Sequence, residues 1–145
     1  MIITDEKELR VKCVQVLPDE VNDLRKKLEE VLVWSAKQGR PGVGLACPQI
    51  GIAKSMAIVR IDDSMKFDLV NAKIVQVYHP FEFDNEGCLS FPNRSVRTRR
   101  YKEMVVEENL VYPNRFIVTD FSAVVVAHEC DHLNGILLSD VALKD

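Results

Sequence analysis

Two stretches repeat apolar residues at helical intervals. The first carries Val21, Leu24, Leu28, Val31 and Leu32, opens on Pro18 and Asp19, and predicts a helix running to about Gln38 before Gly39 stops it. The second carries Phe121, Val124, Val125, His128 and His132 on one face. It predicts a helix over residues 123–135, capped by Thr119 or Asp120 and ended by Gly135. Residues 55–61 and 69–78 are rich in β-branched side chains and read as strands, with a turn at Asp62, Asp63 and Ser64 and a stop at His79-Pro80. Residues 103–112 and 115–119 read as a hairpin turning at Pro113-Asn114. Residues 11–17 suggest one extended segment. Two segments are punctuated by Gly and Pro: residues 40–51 (RPGVGLACPQIG) and 85–92 (NEGCLSFP). The first is too apolar for a linker, and its glycines allow close approach to the backbone. Helices and strands are segregated rather than alternating, so the expected class is α+β. Antiparallel sheets would pack around a central helix bearing residues 128–132, with a second helix nearer the N-terminus.

Composition narrows this little. The chain has 145 residues, 47% hydrophobic and 28% charged, as expected of one globular domain over residues 1–145 with a short tail after about residue 138. A net charge of -3 offers no footprint for direct nucleic-acid recognition. The local cluster of Arg94, Arg97, Arg99, Arg100 and Lys102 reads as a solvated strand edge. The longest purely apolar run, residues 123–127, is too short to cross a bilayer, and the charged N-terminus shows no secretory signal. Cys13, Cys47, Cys88 and Cys130 then read as reduced thiols or metal ligands in a cytoplasmic protein.

The chemistry concentrates in the second helix. His128 and His132 stand four residues apart with Glu129 between them, an HExxH pattern that brings two imidazoles onto one face, where they can share a small cation. Both continue the apolar stripe and so face a core, where an unpaired polar group is costly. A third ligand is needed to leave one position open for water. Leu138 occupies the place of the third histidine in HExxHxxGxxH, and no glutamate follows Glu129. Upstream, Cys88 in a tight Glu-Gly-Cys turn is the best candidate, giving a Cys-His-His set. His79, beside a proline, reads as a turn residue. A zincin-type metallopeptidase with another third ligand, and a non-catalytic zinc-stabilised binding module, remain open at this point.

Three blocks in this order, GVGLACPQ at 42–49, EGCLS at 86–90 and HECDHLNG at 128–135, resemble the peptide deformylase family. The resemblance implies that Cys88, His128 and His132 hold one divalent metal, natively Fe(II), with zinc, nickel or cobalt as substitutes. It implies that Glu129 serves as general base toward water and then as acid toward the departing amine. The Gln49 side-chain amide and the Leu89 backbone N–H would donate to the formyl oxygen. The Gly44 backbone would pair with the substrate as a strand, and Val43, Phe121, Val124 and Val125 would line the pocket for its methionine. Arg94 is similar in position to an arginine at the peptide entry. The implied substrate is an N-formylmethionyl nascent polypeptide, the implied products are formate and a free amine, and the setting is the ribosome. A monomer is expected.

The chain also departs from the family pattern. Cys47 replaces a second alanine, and Ala127 stands where many members carry glutamine. Cys130 points off the metal-facing stripe and reads as a packing thiol. Glu86 and Asp131 read either as partners that orient the ligands or as surface and turn residues. Only residues 136–145 stand where many bacterial members carry a C-terminal helix used in ribosome docking.

Overall fold

A computed structural model describes residues 1–144 of the protein. Its layers follow from the side-chain periodicities. Pro18–Glu20 forms a 3-10 turn, with the Leu17 N–H donating to Glu20 Oε1 at 2.9 Å, and leads into α2, Val21–Lys37. Gly39 ends α2 at φ +83, the left-handed conformation glycine adopts without strain. Val21, Leu24, Leu28 and Leu32 are buried as the stripe predicted, and Val31 is half-buried. A short helix that the pattern did not suggest, α1 (Glu6–Leu9), precedes it and is capped by Asp5, whose Oδ1 accepts from the Lys7 N–H at 2.8 Å.

The first sheet has the order β1-β2-β3, with β1 Gly44–Ala46, β2 Met56–Arg60 and β3 Lys66–Val70, all antiparallel. β2 shows how period-2 patterning builds layers. Met56 and Ile58 pack with Leu24, Leu28 and Leu32 of α2, while Ala57 and Val59 face the opposite core. The second sheet has the order β4-β5-β6, with β4 Lys73–Cys88, β5 Phe91–Asn109 and β6 Pro113–Thr119. Val125, Val126 and Cys130 of α3, Asp120–Leu133, share one core cluster with Ala57 and Val59 from the first sheet and Met104, Val106 and Val118 from the second. A last short helix, α4 (Leu138–Val141), precedes a bridge from Ala142 to Thr98. The result is a mixed fold of helices and antiparallel sheets.

Several strand expectations change. The stretch 69–78 is not one strand: it breaks at Asn71, which adopts φ +51 and locks the corner with its side chain. Its Oδ1 accepts from the Val16 N–H at 2.8 Å, and its Nδ2 donates to the carbonyls of Val16 and Asn109 at 3.0 and 2.8 Å. The chain thereby leaves the first sheet and enters the second. β4 then runs through His79-Pro80 instead of stopping there, with Pro80 paired to Tyr101. β4 is an edge strand, where a missing N–H costs no ladder bond. His79 is exposed at φ +58. Pro113 and Asn114 pair with Asn109 and Glu108, so the hairpin turns at residues 110–112 rather than at Pro113-Asn114. Residues 40–51 are not all loop: they hold β1 and a 3-10 turn, Cys47–Ile50. Residues 11–17 make a single bridge, Val14 to Lys54, not an extended strand. Among the described residues no helix is long and apolar enough to cross a membrane.

Candidate metal centre

α3 begins at a local hydrogen-bond exchange in which Ser122 Oγ donates to the Thr119 carbonyl at 2.6 Å and accepts the Thr119 N–H at 3.3 Å. It ends at Gly135, φ +70, with the Gly135 N–H on the His132 carbonyl (3.2 Å) and the Ile136 N–H on the Asp131 carbonyl (2.8 Å). That pair of bonds is a Schellman stop. The helix brings the His128 and His132 rings to 5.0 Å between centroids. The β4–β5 hairpin supplies Cys88, whose Sγ lies 3.4 Å from His132 Nε2. One donor atom from each of Cys88, His128 and His132 falls within 4.8 Å of the others, a set that could hold a metal ion.

Below this set lies a buried polar network. Glu86 Oε2 sits 2.8 Å from His128 Nδ1, and Glu86 Oε1 accepts from Thr98 Oγ1 at 2.7 Å and Arg100 Nε at 2.8 Å. Arg100 also donates from Nη1 to Asp131 Oδ2 at 2.9 Å. Burial alone would raise the Glu86 pKa, but hydrogen bonds from Arg100 and His128 outweigh it and hold the group at about 2. Glu86 is therefore a carboxylate that accepts the Nδ1–H of His128 and leaves Nε2 for the shared donor position. Burial likewise disfavours charge on His128, yet its contacts with Cys88 and Glu86 hold its pKa well above the usual value. Burial, with His128 nearby, lowers His132 to about 3.

Glu129 is 3% exposed, and its Oε1 is buried without a hydrogen-bond partner among the described residues. Burial first, then the charges of Glu86 and Asp131, opposed by His128, push its pKa up to about 7. A carboxyl at that value can take and return a proton near neutrality. A Cβ on Gly44 would stand 2.6 Å from Glu129 Oε2, so the bare glycine there makes room for the carboxylate itself. Gln49, 2% exposed, accepts the Ala46 N–H on Oε1 at 3.0 Å. Its Nε2 thus points toward Cys88 Sγ (3.6 Å) and Ser90 Oγ (3.1 Å).

A cavity of about 620 Å³ opens over these groups; Gln49, Cys88, Leu89, His128 and Glu129 reach it, and Val43, Gly44, Val124 and Val125 form its wall. His132 lies beneath, 1% exposed. Phe121 departs from the inward stripe: it is 45% exposed at the cavity rim, 6.1 Å from the Phe83 ring, while its neighbours Ser122 and Ala123 turn inward. Arg94 lines the cavity and is exposed. Arg100 overturns the reading of the basic cluster as a solvated edge. Alternation along β5 turns Thr98 and Arg100 inward and Arg99 outward, and Arg100 is 5% exposed. Asp131 accepts from Arg100, the same guanidinium that bonds Glu86. Ser90, Thr98 and Arg100 were missed in the sequence; the clue for Arg100 was a buried carboxylate needing a partner across the hairpin.

The family described as polypeptide deformylase matches residues 1–144. The chain belongs to this family. A peptide deformylase from Finegoldia magna is 33% identical over 139 residues, which cover 94% of this chain and 84% of that relative. The crystal structure of peptide deformylase from Thermotoga maritima superposes with a TM-score of 0.84 at 28% identity, covering 99% of this chain and 97% of that one. A probable peptide deformylase from Synechococcus phage S-SSM7 gives 0.82 at 32% identity, covering 97% and 98%. Peptide deformylases are metal-dependent enzymes that remove the N-formyl group from nascent peptides. The residues here fit such an ion: a thiol and two imidazoles converge, Glu86 fixes one ring, and the orphaned Glu129 oxygen stands beside them.

Proposed function

We propose that this chain, as a single catalytic domain over residues 1–145 built around the HExxH helix, hydrolyses the formyl C–N bond of N-formylmethionyl polypeptides. Cys88, His128 and His132 hold one divalent metal, Fe(II) in the cell, replaceable by zinc, nickel or cobalt. Such an ion, when bound, supplies a Lewis acid that activates water and polarises the formyl carbonyl. Glu129 takes a proton from the attacking water and delivers it to the leaving amine. Gln49 Nε2 and the Leu89 N–H donate to the formyl oxygen as charge develops on it. The Gly44 backbone pairs with the peptide as an added strand, and Val43, Phe121, Val124 and Val125 receive the methionine side chain. The protein would work in the cytoplasm, as a monomer, on chains emerging from the ribosome.

One observation carries this reading: a Cys-His-His donor set within 4.8 Å lies beside a buried carboxyl held at about 7, at the floor of one cavity. The Cys88 contribution speaks against a zincin peptidase, and the adjoining cavity against a closed structural site. The test is formate release from formyl-Met-Ala-Ser by the metal-loaded protein beside Glu129→Gln. Formate from the wild type and none from the variant supports the reading. A metal-loaded wild type that releases no formate sinks it.

A further inference from the structure

Gln49 sits in a one-turn 3-10 helix, which is too short to satisfy its own carbonyls. Within that turn the Gly51 N–H goes to Pro48 and the Ile52 N–H to Cys47. The Gln49 carbonyl finds its donor outside: the Ile3 N–H, at 2.7 Å. Ile2 packs against the apolar cluster that also takes Ile50 and Ile52 on either side of Gly51. Seven residues on, Leu9 is fully buried, and the Arg10 guanidinium bonds the Gly135 carbonyl at 3.2 Å and both oxygens of Asp140 at 2.8 and 2.9 Å. Gly135 is the stop of α3, the helix carrying His128, Glu129 and His132. One N-terminal segment therefore touches the turn that aims Gln49 at one end and the end of the His-bearing helix at the other.

We propose that residues 3–10 form a positioning strap, in which the Ile3 N–H holds the Gln49 peptide plane while Arg10 anchors the segment to the stop of α3. The inference rests on the reading of Gln49 as the donor to the formyl oxygen. That amide is useful only if it is already in place when charge develops, and a displacement of about 1 Å can cost on the order of a hundredfold in rate. Ile3 neither lines the cavity nor belongs to the Cys-His-His set, so its effect passes through the backbone of Gln49.

The test removes the N–H and keeps the rest. Ile3→Pro lacks the donor; Ile3→Val retains it; deletion of Ile2 to Thr4, joining Met1 to Asp5, removes it without a proline ring. Each is measured as the metal-loaded enzyme for kcat, KM, metal content and thermal midpoint, alongside Gln49→Leu and the Ile3→Pro, Gln49→Leu double variant. The strap predicts kcat lower by roughly tenfold or more in Ile3→Pro and in the deletion, KM within about twofold, metal content unchanged and Ile3→Val like wild type. It also predicts that Ile3→Pro adds little in the Gln49→Leu background, because both act through one amide. Full turnover in Ile3→Pro and the deletion, with Gln49→Leu impaired, overturns the strap alone, as does a loss that tracks metal content or KM. Full turnover in Gln49→Leu overturns the reading of Gln49 and the strap with it.

Discussion

Glu86 Oε2 and His128 Nδ1 are 2.8 Å apart, although 42 residues separate them and they belong to different elements. The contact works because Arg100, 5% exposed, keeps Glu86 ionised and bonds both of its oxygens. Glu86→Gln preserves shape but removes the charge that binds the His128 N–H and Arg100 together. Outer partners of ligating histidines typically contribute about 10–100-fold in metal affinity. We expect a loss of that order, read by titration against a chelator of known affinity. Arg100→Lys should follow it, since an ammonium cannot reproduce the fork that reaches Glu86 and Asp131. Wild-type affinity in both variants would remove the network from the metal site.

Gly44 makes a second, steric prediction. A methyl at that position would stand 2.6 Å from Glu129 Oε2 and 3.1 Å from the Ile58 carbonyl, and the side-chain carboxyl yields before the strand backbone does. Gly44→Ala should therefore displace the Glu129 carboxyl while leaving Cys88, His128 and His132 untouched. The expected result is a kcat lower by roughly a hundredfold with metal content retained. Turnover at the wild-type level would show that Glu129 can work from a different position.

What the sequence carried and what it hid differ by mechanism. The α2 stripe and the α3 pattern were readable because a helical face repeats over many residues, and Gly39 and Gly135 mark their ends by a conformation few other residues tolerate. The segments around Gln49, Cys88 and His128 group by their resemblance to one family, and they meet in one cavity. The sheets were harder. A single asparagine, Asn71, divides what reads as one β-branched run, and its turn depends on partners at Val16 and Asn109 that no local pattern announces. Pro80 looked like a stop and Pro113 like a turn because a proline's tolerance depends on whether its strand is at an edge, which is a property of the sheet. Arg100 was misread for a related reason: alternation decides its direction, but only a buried partner explains why a guanidinium goes inward.

Leu28 separates stability from chemistry. It is fully buried between α2 and the outer face of the first sheet, in a cluster with Leu45, Met56 and Ile58. Leu28→Ala should cost about 2–5 kcal/mol of unfolding free energy, as large-to-small core changes do. Formate release per metal-loaded, folded molecule should stay close to wild type, because Leu28 faces away from the cavity. Denaturant unfolding and activity at low temperature read the two effects separately. A stability loss under 1 kcal/mol would mean that the layer repacks around the gap.

Asp140 supplies a pH dependence whose sign can be worked out. The Arg10 hydrogen bond first, and then the Leu137 N–H at 2.9 Å, lower its pKa from the ordinary 3.8 to about 2. A carboxylate depressed in the folded state binds its proton more readily when unfolded, so acid favours unfolding. The contribution is fully present above about pH 4 and disappears as the pH falls through about 2. The pair is more than a third exposed on both sides, so solvent screens it and the effect is modest. Asp140→Asn isolates it from the other carboxylates that titrate over the same range. Urea midpoints for wild type and variant should differ at pH 6 and converge toward pH 2. A gap that persists at pH 2 would mean that the amide lost packing and not an ion pair. Convergence would identify Arg10–Asp140 as the acid-labile link between the N-terminal segment and the end of α3.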